Sequence, residues 1–229
     1  MKLYKYDTHV HTREGSACAD VSGRDQARLY KKLGYDGIII TDHFYNGNTA
    51  VSRKLSWEQW VNGFVKGYEE ALKEGNEIGL SVFFGWEESI KGMDFLIYGL
   101  DKEWLLENRN ILYLDLQTHY QKIKESGGFV VHAHPYRNRR LLADLKPVPE
   151  LADAIEVMNG GNKEALFNHL ADEYAVKWDK PVTGGSDAHH KKDRHGGILV
   201  TAPLLTIQDY MAVVEERKLE EILPFAVKS

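Results

Sequence analysis

Short runs rich in apolar, β-branched and aromatic residues recur along this chain, and the stretches between them repeat their apolar residues at helical spacing. This alternation narrows the fold more than any other feature, because it marks βα units wrapped around a parallel or mostly parallel sheet. The predicted strands are 3–6, 37–41, 80–84, 94–98, 128–132, 154–158, 181–183 and 197–201. Between Trp57 and Leu72 the residues Trp57, Trp60, Val61, Phe64, Val65, Tyr68, Ala71 and Leu72 share one face behind a Ser56/Gln59 capping box, which predicts one helix. Other helices are expected from near Ser22 to Gly34, around Leu116, Tyr120 and Ile123 up to Gly127, and after an Asn162 cap with Leu166, Phe167, Leu170, Ala171 and Tyr174 inward. Strands and helices in this order point to an α/β barrel. The link from Glu88 to Asp94 is too short for a crossover helix, so the barrel should be irregular.

At 229 residues and 43% hydrophobic content, residues 1–229 are expected to form a single domain. The net charge of −5 comes from interspersed acids and bases, which leaves no general nucleic-acid or membrane footprint. Arg137, Arg139, Arg140 and Lys146 form the main basic cluster, too small for a nucleic-acid channel and suited to a small substrate. Cys18 is the single cysteine, so no internal disulfide can form. No apolar run approaches the ~20 residues that span a bilayer, and the first residues lack a signal-peptide core, so a cytoplasmic location is expected. Nothing in the pattern sets an oligomeric state.

Seven of the ten histidines fall in four short segments around His9-Val10-His11, Thr41-Asp42-His43, His132-Ala133-His134 and Asp187-Ala188-His189-His190. Each follows the C-terminal end of a predicted strand, the edge where α/β folds build their sites. His9 and His11, two apart on an extended segment, can face one ion together. Glu87 reaches the same edge through Gly85-Trp86, and a carboxylate can bridge two cations; Glu88 should point to the opposite face. Gly185-Ser186 offers a tight turn that would carry Asp187 and His189 inward. Imidazoles and carboxylates without clustered thiolates suit two or three catalytic zinc, manganese or iron ions, not a closed structural zinc site.

In this order, His9-Val10-His11, Thr41-Asp42-His43, Gly85-Trp86-Glu87, Ala133-His134-Pro135 and Ser186-Asp187-Ala188-His189 resemble the signature of the PHP (polymerase and histidinol phosphatase) family. The resemblance implies a distorted (β/α)7 TIM-like barrel of PHP type, up to three metals, and phosphate-ester hydrolysis. Carried over by position, His9, His11, Glu87 and Asp187 would hold a first ion, Glu87 and His134 a second, and His43 and His189 a third. Two positions depart from the common pattern. After the H-x-H this chain offers Glu14 or Cys18 where many members have Asp or His, and Asp94 opens the fourth strand where many have His.

The expected reaction is in-line attack of a metal-bridged hydroxide on a small phosphomonoester. Asp187 and His189 are the catalytic candidates, His189 as a possible acid to the leaving group, and Arg137 and Arg194 are candidate phosphate clamps. His132, Tyr136 and His195 could support the site from behind, while His119 and His169 lie on helices as structural residues. An amidohydrolase acting on a C–N bond and a 3′–5′ exonuclease-like PHP enzyme are the alternatives.

Overall fold

A computed structural model describes residues 2–137, 148–193 and 195–223. Its strands are β1 (Tyr4–Val10), β2 (Gly37–Ile40), β3 (Ser81–Ile90), β4 (Met93–Tyr98), β5 (Phe129–Ala133), β6 (Ala154–Asn159), β7 (Val182–Gly185), β8 (Gly197–Val200) and β9 (Glu221–Leu223). They hydrogen-bond in the order β7-β6-β5-β4-β3-β2-β1-β8-β9. The pairs β1/β2, β2/β3, β5/β6 and β6/β7 are parallel, whereas β4 runs antiparallel to both neighbours. Lys91 and Gly92 both take positive φ in the tight turn that joins β3 to β4, the hairpin geometry that replaces a crossover helix. At the carboxyl edge the sheet curls back on itself. Asp187 N–H donates to the His9 carbonyl at 2.8 Å, and His11 N–H donates to the Ala188 carbonyl at 3.0 Å. The result is a barrel-like sheet of the expected class, distorted by the reversed β4 and extended by the β8/β9 pair.

The helices are α1 (Gly23–Lys32), α2 (Trp57–Phe64), α3 (Lys66–Ile78), α4 (Lys102–Glu107), α5 (Leu116–Glu125), α6 (Ala165–Lys177) and α7 (Ile207–Glu215). The single helix expected from Trp57 onward is two, broken at Val65, although its Ser56/Gln59 capping box forms. Close packing explains the break: a Cβ on Gly67 would lie 2.0 Å from Thr12 Oγ1, and one on Gly23 would lie 1.9 Å from the Gly67 carbonyl. Only glycine lets α3 approach α1 and the loop after β1 so closely. Asn162 does not cap α6, which starts after Glu164 without a side-chain cap. Its amide instead donates to Asn168 and its carbonyl accepts from Arg137.

Alternation along the strands sorts side chains between two compartments. Ile39, Leu96, Tyr98, Phe129 and Val131 fill the barrel with Tyr210 of α7, which plugs the end opposite the site. Ile38, Ile40 and Val82 pack outward on α1 and α3, and Trp86, Phe95, Ile97 and Val130 pack outward beneath α2, α4 and α5. No helix among the described residues is long and apolar enough to cross a membrane.

Candidate metal centre

Strict alternation in β1 would fail to build this site. Tyr6 points into the barrel and Asp7 outward to the Tyr30 hydroxyl at 2.6 Å, so His9 should also point outward. A register shift between Asp7 and Val10 reverses the parity: Val10 joins the outer core while His9 and His11 both enter the barrel mouth. Bulges of this kind re-aim side chains next to active sites. Asp187 has φ 53 and His134 φ 28, both in a region that side chains avoid unless their surroundings enforce it. At Gly185 a Cβ would sit 2.4 Å from that of His9, so the turn before Asp187 demands glycine.

Among the described residues, three groups of side chains converge closely enough to hold a cation: His9, His11 and Asp187; His9, Glu87 and His134; His11, His43 and His189. Glu87 lies between them, with Oε1 2.9 Å from His134 Nε2 and Oε2 2.7 Å from His43 Nδ1 and 3.5 Å from His11 Nε2. Asp187 Oδ1 stands 3.1 Å from His11 Nε2 and 3.6 Å from His9 Nε2. The sequence-predicted residues His9, His11, His43, Glu87, His134, Asp187 and His189 therefore meet in one place.

The hydrogen bonds behind the imidazoles determine which nitrogen faces the centre. His9 Nδ1 is 2.9 Å from Glu156 Oε1, an acceptor, and so carries its proton there. Ser16 Oγ gives its hydrogen to Asp42 at 2.7 Å, so it accepts from His11 Nδ1 at 2.9 Å. The Asp187 carbonyl likewise takes the proton of His189 Nδ1 at 2.9 Å. Lone pairs then face inward at His9 Nε2 and His11 Nε2, 3.0 Å apart, and at His189 Nε2, 3.5 Å from His43 Nε2. Facing lone pairs repel unless a cation lies between them. Glu87 Oε2 and Asp187 Oδ1, both buried, also lack a hydrogen-bond partner. This donor set fits divalent first-row ions.

The buried carboxylates call for positive charge at the centre, which protons on the imidazoles supply until a bound ion displaces them. Burial disfavours an imidazolium at His9, but Asp187 and Glu156 outweigh it and hold its pKa well above the usual value. Burial would also raise Asp187 and Glu87, yet Arg137 and His9 beside the first and His43 and His134 beside the second keep both ionised. His11 is pushed well below the usual range by burial, His189 and His43, which keeps it neutral as a ligand must be.

The remaining candidates divide. Glu14 is not in the cluster: its carboxylate accepts from Gly23 N–H at 3.1 Å and pairs with Arg13, so it serves the start of α1. Cys18 lines the larger cavity beside Asp187 and His189 but joins no ligand group with the nearby imidazoles of His43 and His189. Burial would raise its thiol, but these imidazoles bring it down to about 6. Asp94 faces inward because the reversed β4 begins, rather than ends, at this edge; Ser89 Oγ donates to it at 2.6 Å, and it stands near Glu87 and His134 without joining a ligand group. Arg137 pairs with Asp187 and is held by Asn159 and Asn162. Arg194, with Arg139, Arg140 and Lys146, lies outside the described residues. Glu88 turns away as expected, to His119 of α5 at 3.6 Å. His132 also points outward and stacks on Phe95 at 4.9 Å, so it does not face the centre. Tyr136 packs on Tyr174 and His195 on Tyr30.

Glu156 is the residue that reading the strands missed. It receives His9 Nδ1–H with one oxygen, and His134 N–H at 3.0 Å and the Asn159 amide at 2.8 Å with the other. A lone acid inside the apolar run Ala154-Ile155-Glu156-Val157 was the available clue. Because carboxylates behind ligand imidazoles typically contribute 10–100-fold to metal affinity, Glu156→Ala should weaken the centre by about that factor in a chelator competition. Unchanged affinity would show that Glu156 does not orient His9.

Above the centre lie two adjoining cavities, about 550 and about 730 Å³, which share Arg137, Gly161 and Lys163. Asp94 and His134 line the first, and Cys18, Asp187 and His189 line the second.

Fold and centre together define an α/β barrel carrying a cluster of candidate metal ligands at its carboxyl edge. The family described as PHP-associated matches residues 165–193. A two-domain protein from Bacteroides vulgatus, described as containing a predicted PHP-like metal-dependent phosphoesterase, superposes with a TM-score of 0.68 at 17% identity over 95% of this chain. This chain spans 64% of that protein's length. An amidohydrolase from Chromobacterium violaceum, described with bound sulfate and no metal, superposes with a TM-score of 0.60 at 15% identity, covering 94% of this chain and 97% of that one. The uncharacterized protein MJ1587 of Methanocaldococcus jannaschii is 27% identical over 183 residues, 76% of this chain and 92% of that protein. The chain thus shares its fold with a PHP-like structure.

Proposed function

We propose that this chain is a metal-dependent hydrolase and that its substrate is a small phosphomonoester. The observation that carries the reading is the inward-facing set of lone pairs and unpartnered carboxylate oxygens beneath a cavity edged by Arg137. His9, His11, Glu87, His134, Asp187, His43 and His189 would hold two or three divalent ions, which lower the pKa of a water and polarise a phosphoryl oxygen when bound. Asp187 is the central carboxylate, reaching His9 and His11 and pairing with Arg137. His189 would serve as a ligand through Nε2, with its Nδ1 proton donated to the Asp187 carbonyl. Asn159 and Asn162 fix the Arg137 guanidinium at the rim, where its remaining N–H groups can fork onto a phosphoryl group. The likeness to a PHP-like phosphoesterase supports a phosphate ester, and the likeness to an amidohydrolase makes C–N bonds the competing substrate class.

A panel of phosphomonoesters, amides and lactams, run with zinc, manganese or iron, tests the reading. Phosphomonoester turnover that a chelator abolishes is expected, and turnover of C–N substrates alone would overturn the choice of substrate. Arg137→Lys separates the two chemistries further. Losing a charge-assisted fork of about 1.5–3 kcal/mol should lower kcat/KM roughly ten- to hundredfold with metal content unchanged. If Arg137→Lys and Arg137→Ala both turn over phosphomonoesters like the parent, Arg137 is not the clamp.

A further inference from the structure

Where β1 turns its histidines inward, the strand carries one extra residue. Between the pairs Asp7/Ile38 and Val10/Ile40, β1 advances three residues and β2 only two. A bulge leaves its extra residue without a ladder partner, and His9 is fully buried, so its N–H needs another acceptor. That acceptor is Asp7 Oδ1 at 3.2 Å, an aspartate closing a turn on its own backbone two residues on. The same oxygen receives Ser186 N–H at 2.9 Å, one residue before Asp187. Oδ2 accepts from the Tyr30 hydroxyl at 2.6 Å and from Ser186 Oγ, which itself accepts Gly196 N–H at 2.8 Å. Asp7 is completely buried among these donors.

We infer that Asp7 is a positioning residue of the centre: by taking the N–H groups of His9 and Ser186, its Oδ1 holds the bulge that aims His9 and His11 and docks the Asp187 turn against it. This rests on the metal-centre reading above. The two oxygens divide the task. Oδ1 touches the backbone of one ligand and of the residue next to another, whereas the donors to Oδ2 are hydroxyl groups of residues that belong to no ligand group. Aiming the ligands therefore needs an acceptor at Oδ1 and not the carboxylate charge, so an amide oxygen in its place should suffice.

Zinc affinity by chelator competition, the visible d–d bands of cobalt-loaded protein and thermal denaturation, all on the full chain, test this. Asp7→Ala should weaken zinc binding about 10- to 100-fold, the range for groups that orient ligands from behind, and should alter the d–d bands. Asp7→Asn keeps an oxygen for both N–H groups, so it should bind zinc and show d–d bands like the wild type, although Tm falls because the two hydroxyls lose their acceptor. Tyr30→Phe removes a donor from Oδ2 alone, and should lower Tm by roughly 3–12 °C with zinc affinity unchanged. Wild-type affinity and bands in Asp7→Ala would overturn the assignment, as would an Asp7→Asn variant that loses zinc as Asp7→Ala does. Should Asp7→Ala fail to fold, Asp7→Asn and Tyr30→Phe decide: a lower Tm with zinc binding retained supports the assignment, and zinc loss that follows the fall in Tm overturns it. Wild-type protein that takes up neither zinc nor cobalt overturns the metal-centre reading itself.

Discussion

Asp187→Asn should all but abolish turnover and remove bound metal while leaving the fold intact. The side chain lies within 3.6 Å of two inward imidazole nitrogens and is the only carboxylate in the group it forms with His9 and His11. An amide keeps its shape but gives up the charge that a transition cation needs. Charge stabilisation by such ions is worth several kcal/mol, and at about 1.4 kcal/mol per decade a loss of roughly three orders of magnitude in kcat/KM follows. Asparagine tolerates a φ of 53 as readily as aspartate does, so the turn after Gly185 survives. Thermal denaturation, metal analysis and steady-state kinetics on the same preparation check this. Wild-type turnover with wild-type metal content would remove Asp187 from the centre.

Trp60→Ala should produce the largest loss of stability. Trp60 is fully buried and stacks on Trp57 and Phe64 at 5.3 and 4.9 Å, with Phe44 edge-on at 5.2 Å. Phe44 follows His43 directly, so this aromatic cluster also anchors one ligand-bearing loop to α2. Truncating a buried tryptophan costs about 3–5 kcal/mol, a large share of the roughly 5–15 kcal/mol typical of a folded domain. At about 2–4 °C per kcal/mol for a chain of this size, Tm should fall by roughly 6–20 °C. Trp60→Phe keeps a ring and discards an indole N–H that has no partner, so it should cost less than about 1.5 kcal/mol. Equal losses from both variants would show that cavity formation is not what destabilises the alanine form.

Much of the fold is legible in the residues because alternation of strand and helix is a local property. All eight predicted strands form, and the short Glu88 to Asp94 link correctly implied an irregular barrel. What failed depended on distant partners. The break at Val65 follows from α3 meeting α1 through Gly67 and Gly23, a contact no helical period records. Short β9 draws its place from pairing with β8 rather than from its own pattern. Asn162 looked like a cap but is drawn into bonds with Arg137 and Asn168.

The site shows the same division. The candidate ligands could be picked from their place at strand ends, yet the reason His9 faces inward is a register shift invisible in the sequence. Position after the H-x-H favoured Glu14 over Cys18, but the Glu14 carboxylate turns to the start of α1, while Cys18 lines the cavity. Glu156 escaped notice because its partner His9 is 147 residues away.

The central claim is that this cluster exists to hold several cations, and metal analysis of the purified full chain tests it most directly. Protein prepared without chelator should contain more than one first-row transition ion per chain, lose those ions and its activity on chelation, and regain both with zinc, manganese or iron. Protein that contains no such ion, takes none up when these metals are supplied and gains no activity from them would contradict the account.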